Sequence, residues 1–303
     1  MGRRTTMKKP AAGVSRNSVV IVALILFAAV LVTQLQSANF TNDIAAVDRA
    51  ASSIRATQDA VAKVAPPKTQ ATRCQRTLPA HLHKAQSEED KMLLKWFKNF
   101  CGGTYIEMGG LDGVEFSNSH VFNKGLGWKG VLVEADPRSY KQLVINRPNE
   151  IATVHAGVCL DEKDLHYVLS GGHAAVSGFL EFATKEFKNM HWTQQVIDKA
   201  LIVKCRRLDK ILQETVGKSF YFDFFSLDIE GAELLALQSL NFDEYQFGII
   251  VVEADGKSKL KDDSIKALLG RSGYDFIHNI NRSNWFINKN FDLIYQDVVY
   301  ENP

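Results

Sequence analysis

The sequence predicts an α/β domain built on a doubly wound, mostly parallel sheet, with an antiparallel C-terminal hairpin and one preceding transmembrane helix. Two observations predict the sheet. Short apolar runs alternate with amphipathic helical patterns from residue 87 onward, and glycine-rich or acidic turns follow several of these runs. A third observation, one long apolar run near the N-terminus, predicts the membrane helix.

Length and composition agree with one globular domain and an N-terminal appendage. The chain has 303 residues, of which 46% are hydrophobic and 23% are charged, which argues against both a disordered chain and a polytopic membrane protein. The net charge is only +2, and five positive charges lie in the first sixteen residues. We therefore expect no nucleic-acid partner.

The N-terminal segment reads as a signal anchor. Residues 19–32 are an unbroken apolar run, and residues 18–35 as a helix would span about 27 Å, close to the thickness of the endoplasmic reticulum bilayer. Basic residues crowd the side before this run, so residues 1–17 are predicted to be a cytoplasmic tail and 18–36 the anchor. This gives a type II protein of the endoplasmic reticulum or Golgi, with a lumenal domain. A cleaved signal peptide and a mitochondrial leader are the alternatives.

Residues 37–86 are predicted to be a stalk and linker. From Ile44 to Ala65, small and apolar residues alternate three and four apart, the spacing of a short coiled coil. Homodimerisation through this stalk is one interpretation, and a lone helix is the other. Pro66 and Pro67 end the pattern, and the polar stretch after them places the domain at 87–303.

The predicted core strands are short apolar or β-branched runs. They fall at residues 105–108, 130–133, 151–158, 224–227 and 247–252. His155 lies inside the third run and is predicted to be a core residue. Residues 275–280 and 284–287, joined by a turn, predict the antiparallel hairpin at the sheet edge.

Two helices among the predicted elements have clear local signals. Asp136 followed by Pro137 predicts a helix start, because Asp caps a helix and Pro suits its first position. Residues 230–240 form an amphipathic helical pattern.

The turns after the first two strands predict a nucleoside ligand. Glu107 and Gly109 open the glycine-rich loop EMGGLDG, in which glycines let the backbone approach a ligand closely. Glu134 follows the second strand, where a carboxylate can accept both hydroxyls of a ribose. No regular dinucleotide fingerprint and no phosphate-binding lysine motif is present, which disfavours a pyrophosphate. Glu107 and Asp112 suit a cationic amine instead, and S-adenosylmethionine carries one.

Three blocks resemble the FkbM family of methyltransferases. They are YIEMGGLDGVEFSN at 105–118, GWKGVLVEADP at 127–137 and FFSLDIEGAELLAL at 224–237, in the family's order. The resemblance implies a Rossmann-like methyltransferase fold and methyl transfer, usually to oxygen. It also implies cofactor contacts at the residues that match the family's glycine loop and second-strand acid, namely Glu107, Gly109, Asp112, Gly113 and Glu134.

Candidate catalytic residues follow the fourth core strand. Asp228 is the first choice for orienting or deprotonating an attacking hydroxyl, with Glu230 beside it. His173, in a glycine-rich stretch, is a candidate general base. Glu253 after the fifth strand is a further candidate, and if Asp228, Glu230 and Glu253 converge they could bind a divalent metal. Glu233 is explained equally well as a functional acid or as an acid that stabilises the helix N-terminus near which it lies.

The four cysteines form no close pair, so a zinc ribbon and a C-x-x-C redox motif are excluded. In a lumen they would pair as Cys74 with Cys101 and Cys159 with Cys205, against the alternative of four buried thiols.

Three functions follow from these patterns. The first is an S-adenosylmethionine-dependent O-methyltransferase acting on a glycan or another hydroxylated acceptor in the secretory pathway. The second is a catalytically silent methyltransferase-like domain in a membrane-tethered trafficking or adaptor protein. The third is a type II Golgi glycosyltransferase, in which Asp228 and Glu230 would resemble a metal-binding D-x-D motif.

Overall fold

The computed structural model describes residues 77–97, 100–170, 176–254 and 258–295. The predictions for residues 1–17, 18–36 and most of 37–86, including the stalk homodimer, lie outside these residues. Within the described ranges, no helix is both long and apolar enough to cross a membrane.

A seven-stranded sheet forms the centre of the domain. Its strands are β1 (Thr104–Met108), β2 (Lys129–Glu134), β3 (Ala152–His155), β8 (Phe220–Leu227), β9 (Tyr245–Glu253), β10 (Tyr274–Ile280) and β11 (Ser283–Asn288). In space they run in the order β10-β11-β9-β8-β1-β2-β3. The five strands from β9 to β3 pair in parallel, whereas β11 pairs antiparallel with both β9 and β10. The predicted parallel sheet with an antiparallel hairpin at its edge is therefore confirmed.

Helices follow most of the strands, as a doubly wound sheet requires. In chain order they are α1 (Glu89–Phe97), α2 (His120–Leu126), α3 (Pro137–Asn146), α4 (Lys185–His191), α5 (Gln194–Ile197), α6 (Leu208–Val216), α7 (Glu233–Gln238), α8 (Lys259–Arg271) and α9 (Phe291–Ile294). The predicted cap of α3 is confirmed, because the Asp136 side chain accepts bonds from the amides of Arg138 and Ser139. The amphipathic pattern at 230–240 forms a shorter helix than predicted, α7, because residues 228–231 make a turn first.

Apolar side chains pack on both faces of this sheet. Along β1, Ile106 and Met108 join one buried cluster, whereas Tyr105 joins the other, as the alternation of side chains in a strand dictates. The central strand β8 is buried over residues 222–227. Burial on both sides fixes the register of the central strands, and with it the positions of the residues at their ends.

A second, four-stranded sheet was not predicted. Its strands are β4 (Gly157–Val158), β5 (Lys163–Val168), β6 (Gly178–Phe179) and β7 (Leu201–Arg206), in the order β4-β7-β5-β6. The single strand predicted at 151–158 is thus wrong, since the chain leaves the large sheet after His155 and enters the small one at Gly157. His155 is exposed on the edge strand β3 and stacks on Tyr140, so its predicted place in the core is also wrong.

The predicted disulfide between Cys159 and Cys205 is present in this small sheet. Both residues are buried, and their Cα atoms lie 5.7 Å apart. Cys101 is also disulfide-bonded, while Cys74, its predicted partner, lies outside the described residues. The cross-link joins the end of β4 to β7, and β4 contributes to the wall of the cavity described next.

Candidate active site

A cavity of about 310 Å³ opens beyond the carboxyl ends of β1, β2, β8 and β9. This is the edge at which open α/β sheets bind their ligands, and the volume lies in the range of small-molecule sites. Among the described residues, five carboxylates line it, namely Glu107, Glu134, Asp228, Glu230 and Glu253. One arginine, Arg282, and one histidine, His191, also line it. The site is therefore electronegative and suits a ligand that carries positive charge.

Gly109 lets two strand ends approach each other. Its φ is +79°, and a Cβ at this position would lie 1.9 Å from the carbonyl oxygen of Asp228. The amide of Asp228 also donates to the carbonyl of Met108 over 3.2 Å. Only glycine fits here, because any side chain would push the ends of β1 and β8 apart. The predicted glycine loop is thus part of the cavity wall.

Glu107 lines the cavity but directs its carboxylate to the protein. It accepts hydrogen bonds from the amides of Asn118 and Ser119, at 2.6 and 3.3 Å. The hydroxyls of Ser117 and Ser119 donate to its other oxygen, at 2.8 and 2.5 Å. These bonds fix the segment after the glycine loop at the start of α2. Sequence reasoning identified the residue, and the geometry indicates that it organises this segment.

Glu134 is the carboxylate best placed to meet a ribose. It lines the cavity at the end of β2, where the amides of Leu111 and Asp136 donate to its two oxygens over 2.7 and 2.6 Å. Each carboxylate oxygen can accept a further bond. Burial, partly offset by these backbone bonds, raises the pKa of Glu134 to about 7. The side chain therefore changes its charge near neutral pH.

Asp112 and Gly113 do not line this cavity, although the family resemblance implied cofactor contacts for both. The Asp112 carboxylate accepts bonds from the amides of Val114 and Glu115, which closes a turn in the loop. The carbonyl of Gly113 accepts a bond of 2.7 Å from the guanidinium of Arg147. Both residues shape the back of the loop.

Arg147 is a buried cation that sequence reasoning missed. It is only 1% exposed and forms an ion pair of 2.7 Å with Glu150. Its guanidinium also donates to the hydroxyls of Tyr105 and Ser119, at 2.6 and 2.7 Å. Ser119 in turn donates to Glu107. Arg147 therefore connects α3 to β1 and to the glycine loop, and no local motif marks it, because its partners come from three separate segments.

Asp228 lies at the end of β8 and faces the cavity. The residue has exposed surface at the cavity, although many protein atoms surround its carboxyl group. Burial, followed by the negative charges of Glu253 and Glu230, raises the pKa of Asp228 well above its usual range. Carboxylates this close cannot all ionise at low cost. Asp228 therefore holds a proton more tightly than an ordinary aspartate.

The acidic group nearest to metal-binding geometry differs from the predicted set. Oxygens of Asp228, Glu233 and Glu253 lie within 4.8 Å of one another, so Glu233 replaces Glu230. Two of these acids already have cationic partners: Lys261 pairs with Glu233 at 2.7 Å, and Arg282 with Glu253 at 2.8 Å.

Glu233 itself is fully buried at the start of α7. It accepts bonds from the amides of Ile229 and Gly231, at 3.2 and 2.9 Å. Its position fits the interpretation of an acid that complements a helix N-terminus.

The histidine predicted as a base, His173, lies in residues 171–175, outside the described residues, and stays a prediction. Val176, just after that stretch, lines the cavity. So does His191 at the end of α4, which sequence reasoning missed. Its ring lies 4.6 Å from that of Phe187, which also lines the cavity. No sequence signal pointed to His191, because α4 reaches the site only through the packing of the small sheet.

Unfavourable backbone conformations concentrate around the cavity. Seven described residues other than glycine have positive φ, and four of them line it, namely Leu111, Phe116, Glu230 and Arg282. Such conformations cost about 1–3 kcal/mol each and persist where the surrounding structure enforces them. Their clustering is a reason, independent of any relative, to regard this cavity as a candidate functional site.

A domain model described as "Methyltransferase FkbM domain" matches residues 103–276. No curated protein matches the chain. A solved FkbM methyltransferase from Methylobacillus flagellatus is 15% identical, with a TM-score of 0.36; the match covers 61% of this chain and 43% of that one. Fibrillarin from Aeropyrum pernix, solved with natively bound S-adenosyl-L-methionine, is 14% identical over 62% of this chain and 66% of that one, with a TM-score of 0.32. The family assignment therefore rests on the domain match.

Proposed function

Because the chain belongs to the FkbM methyltransferase family, we propose that it transfers a methyl group from S-adenosylmethionine to a hydroxyl oxygen of a glycan or another hydroxylated acceptor. One observation carries the proposal. Gly109, Glu134 and Asp228, from three different strand ends, line one cavity. A close-approach glycine, a ribose-binding acid and an acid near the reacting atoms are the parts that such a transfer needs.

The residues of the cavity fit S-adenosylmethionine. Glu134 would accept the ribose hydroxyls, and the backbone at Gly109 would lie against the amino-acid portion. Near the end of β4, Gly157, Tyr167 and Phe179 line the cavity, with the Phe179 ring packed directly against Gly157, and this apolar wall would lie against the adenine. The excess of carboxylates matches the positive charge of the cofactor.

The protein's part in the reaction is to orient the acceptor and take its proton. When bound, the cofactor supplies an electrophilic methyl carbon on a sulfonium, which leaves as a neutral thioether once the acceptor oxygen has bonded to that carbon. Asp228 is placed to accept the hydroxyl proton. Its raised pKa makes its carboxylate a stronger base, and the positive charge of a bound cofactor would favour the ionised form that can accept the proton.

The proposal includes no metal. Of the three acids close enough to share an ion, Glu233 and Glu253 already pair with Lys261 and Arg282. A divalent cation would have to compete with both partners for these carboxylates. The chemistry of methyl transfer to a hydroxyl is also complete with a carboxylate base alone.

The proposed location is the lumen of the endoplasmic reticulum or Golgi, with the chain held by its predicted anchor. The disulfide between Cys159 and Cys205 supports this proposal, because such bonds persist in oxidising compartments. A lumenal methyltransferase would meet glycans, which explains our choice of acceptor class.

Calorimetric titration of the full-length protein in mild detergent tests the proposal. S-adenosylmethionine and S-adenosylhomocysteine should bind, and Glu134→Ala should weaken both at least tenfold. Nucleotide sugars, with and without manganese, should not bind; if they alone bind, a glycosyltransferase is correct. Binding of neither class would favour the adaptor.

The acceptor class needs a second measurement. Cofactor labelled in its methyl group should transfer the label to secretory glycans, and acid hydrolysis should release it as O-methyl sugars. Label found only in protein side chains would refute the glycan acceptor while leaving the methyltransferase intact.

A further inference from the structure

Three exposed side chains form one part of the cavity's rim. Gln86, Phe116 and Arg282 are exposed to solvent and also line the cavity, so they lie at its opening. Phe116 is 36% exposed, and the Arg282 side chain is 52% exposed. None of them belongs to the glycine loop or to the acids assigned above. An exposed phenylalanine at a cavity mouth offers its aromatic face to a ligand that enters the cavity.

The rim is held in place by contacts between distant segments. Ala85 forms an isolated bridge with Phe116, which brings Gln86 alongside that residue. The side-chain Nδ2 of Asn281 donates to the backbone carbonyl of Ser87 over 2.9 Å. These contacts tie the segment before α1 both to the segment after the glycine loop and to the turn between β10 and β11.

The backbone at two rim residues is itself unfavourable. Phe116 and Arg282 have φ values of 58° and 72°, which a bulky residue rarely adopts. The Arg282 carbonyl accepts a bond of 2.6 Å from the amide of Ala254, which secures the turn at the end of β9. The fold thus maintains both side chains at the opening at an energetic cost.

The chemistry of the rim matches a sugar ring. A pyranose has an apolar face of C–H groups and hydroxyls that both donate and accept. Phe116 offers an aromatic face, and the Gln86 amide offers a donor and an acceptor. Arg282 donates to Glu253 over 2.8 Å, so this pair presents a guanidinium beside a carboxylate. These donors and acceptors can form hydrogen bonds with neighbouring hydroxyl groups of a sugar.

The negative charge of the cavity favours uncharged sugars over anionic ones. Five carboxylates line it among the described residues, against Arg282 and His191. An anionic sugar would meet net repulsion, and Arg282 is already paired with Glu253. We infer that the rim formed by Gln86, Phe116 and Arg282 is a subsite for an uncharged pyranose that bears the methyl-accepting hydroxyl. This inference rests on the proposed methyltransferase function.

Saturation-transfer NMR on the full-length protein tests the subsite. The probes are the methyl pyranosides of glucose, galactose and mannose, with methyl glucuronide as the anionic match, each with and without S-adenosylhomocysteine. At least one neutral pyranoside should receive saturation at its ring C–H protons, and methyl glucuronide should receive less. Phe116→Leu and Arg282→Lys should each reduce the effect at least fivefold, with the affinity for S-adenosylhomocysteine changed less than twofold. Phe276→Leu is the matched control, since Phe276 is 42% exposed but does not line the cavity.

The outcomes separate the subsite from the proposed function. If S-adenosylhomocysteine does not bind, the methyltransferase proposal fails. If it binds but no neutral pyranoside responds, only the subsite is wrong. Stronger binding of methyl glucuronide would overturn the charge argument. Loss of S-adenosylhomocysteine affinity in both rim variants would mean that the rim serves the cofactor.

Discussion

The acids at the two ends of the cavity have different surroundings. At the ends of β1 and β2, Glu107 and Glu134 accept hydrogen bonds from backbone amides or serine hydroxyls. At the ends of β8 and β9, Asp228 lies beside other carboxylates, and its pKa rises well above normal. The difference shows how one sheet edge can combine a preorganised binding wall with a reactive group. Hydrogen bonds fix the first pair, whereas burial and the neighbouring negative charges raise the pKa of Asp228 at the second end.

Replacement of Asp228, at the end of β8, should have the greatest effect on methyl transfer. Asp228→Asn should slow methyl transfer to the labelled glycan fraction by about 10²–10⁴-fold, because the amide cannot accept the hydroxyl proton. Its affinity for S-adenosylhomocysteine should change little. The control is Asp243→Asn, which should retain full activity. Asp243 lies in the loop before β9, at the end of that strand opposite the cavity. A normal rate in Asp228→Asn would remove the proposed base.

A second substitution tests how the binding wall is anchored. Arg147→Met should destabilise the domain by about 3–5 kcal/mol, since it leaves Glu150 buried without its partner. Urea unfolding measures this cost. Arg206→Met removes an arginine whose partner, Glu214, is 62% exposed, and should cost at most about 1 kcal/mol. Equal costs for the two variants would contradict the anchoring role of Arg147.

The pKa of Glu134 predicts a dependence of stability on pH. Because folding raises this pKa from 4.5 to about 7, the group favours the folded state fully below pH 4.5 and loses that contribution as the pH rises through 7. At about 1.4 kcal/mol per pKa unit, the loss amounts to about 3 kcal/mol.

Glu134→Gln should remove that loss. The free energy of unfolding of the wild type should fall between pH 5 and pH 8 by about 2.5 kcal/mol more than that of the variant. Urea unfolding at both pH values measures the difference, and parallel pH profiles would rule it out. The variant should also lose cofactor affinity. Glu134 would then be needed for binding although its ionisation lowers the stability of the fold near neutral pH.

The smallest effect on stability is expected at α4, the helix that brings His191 to the cavity. Thr184 caps α4 by accepting a bond of 3.1 Å from the amide of Phe187, and that helix carries His191 to the cavity. Thr184→Ala should cost about 1 kcal/mol. Thr193→Ala, at the start of α5, is the matched control, because Thr193 makes no such bond. Differential scanning calorimetry should show the lower Tm only for Thr184→Ala.

Local sequence patterns were enough to predict the parallel sheet and the side of the site that is proposed to bind the cofactor. Strand patterns depend on local alternation, and the glycine loop and Glu134 follow directly on their strands, so neighbours in sequence are neighbours in space. The family followed from the same contiguous blocks. The predicted anchor and stalk, and His173, stay predictions.

The other side of the site could be recognised only in the folded domain. The small sheet brings His191 to the cavity, and the turn after β10 brings Arg282 there, from segments far apart in the chain. It also turned Asp112 and Gly113 away from the cavity and placed Glu233, rather than Glu230, with Asp228 and Glu253. Such placements depend on packing between remote segments, and a local pattern carries no information about that packing.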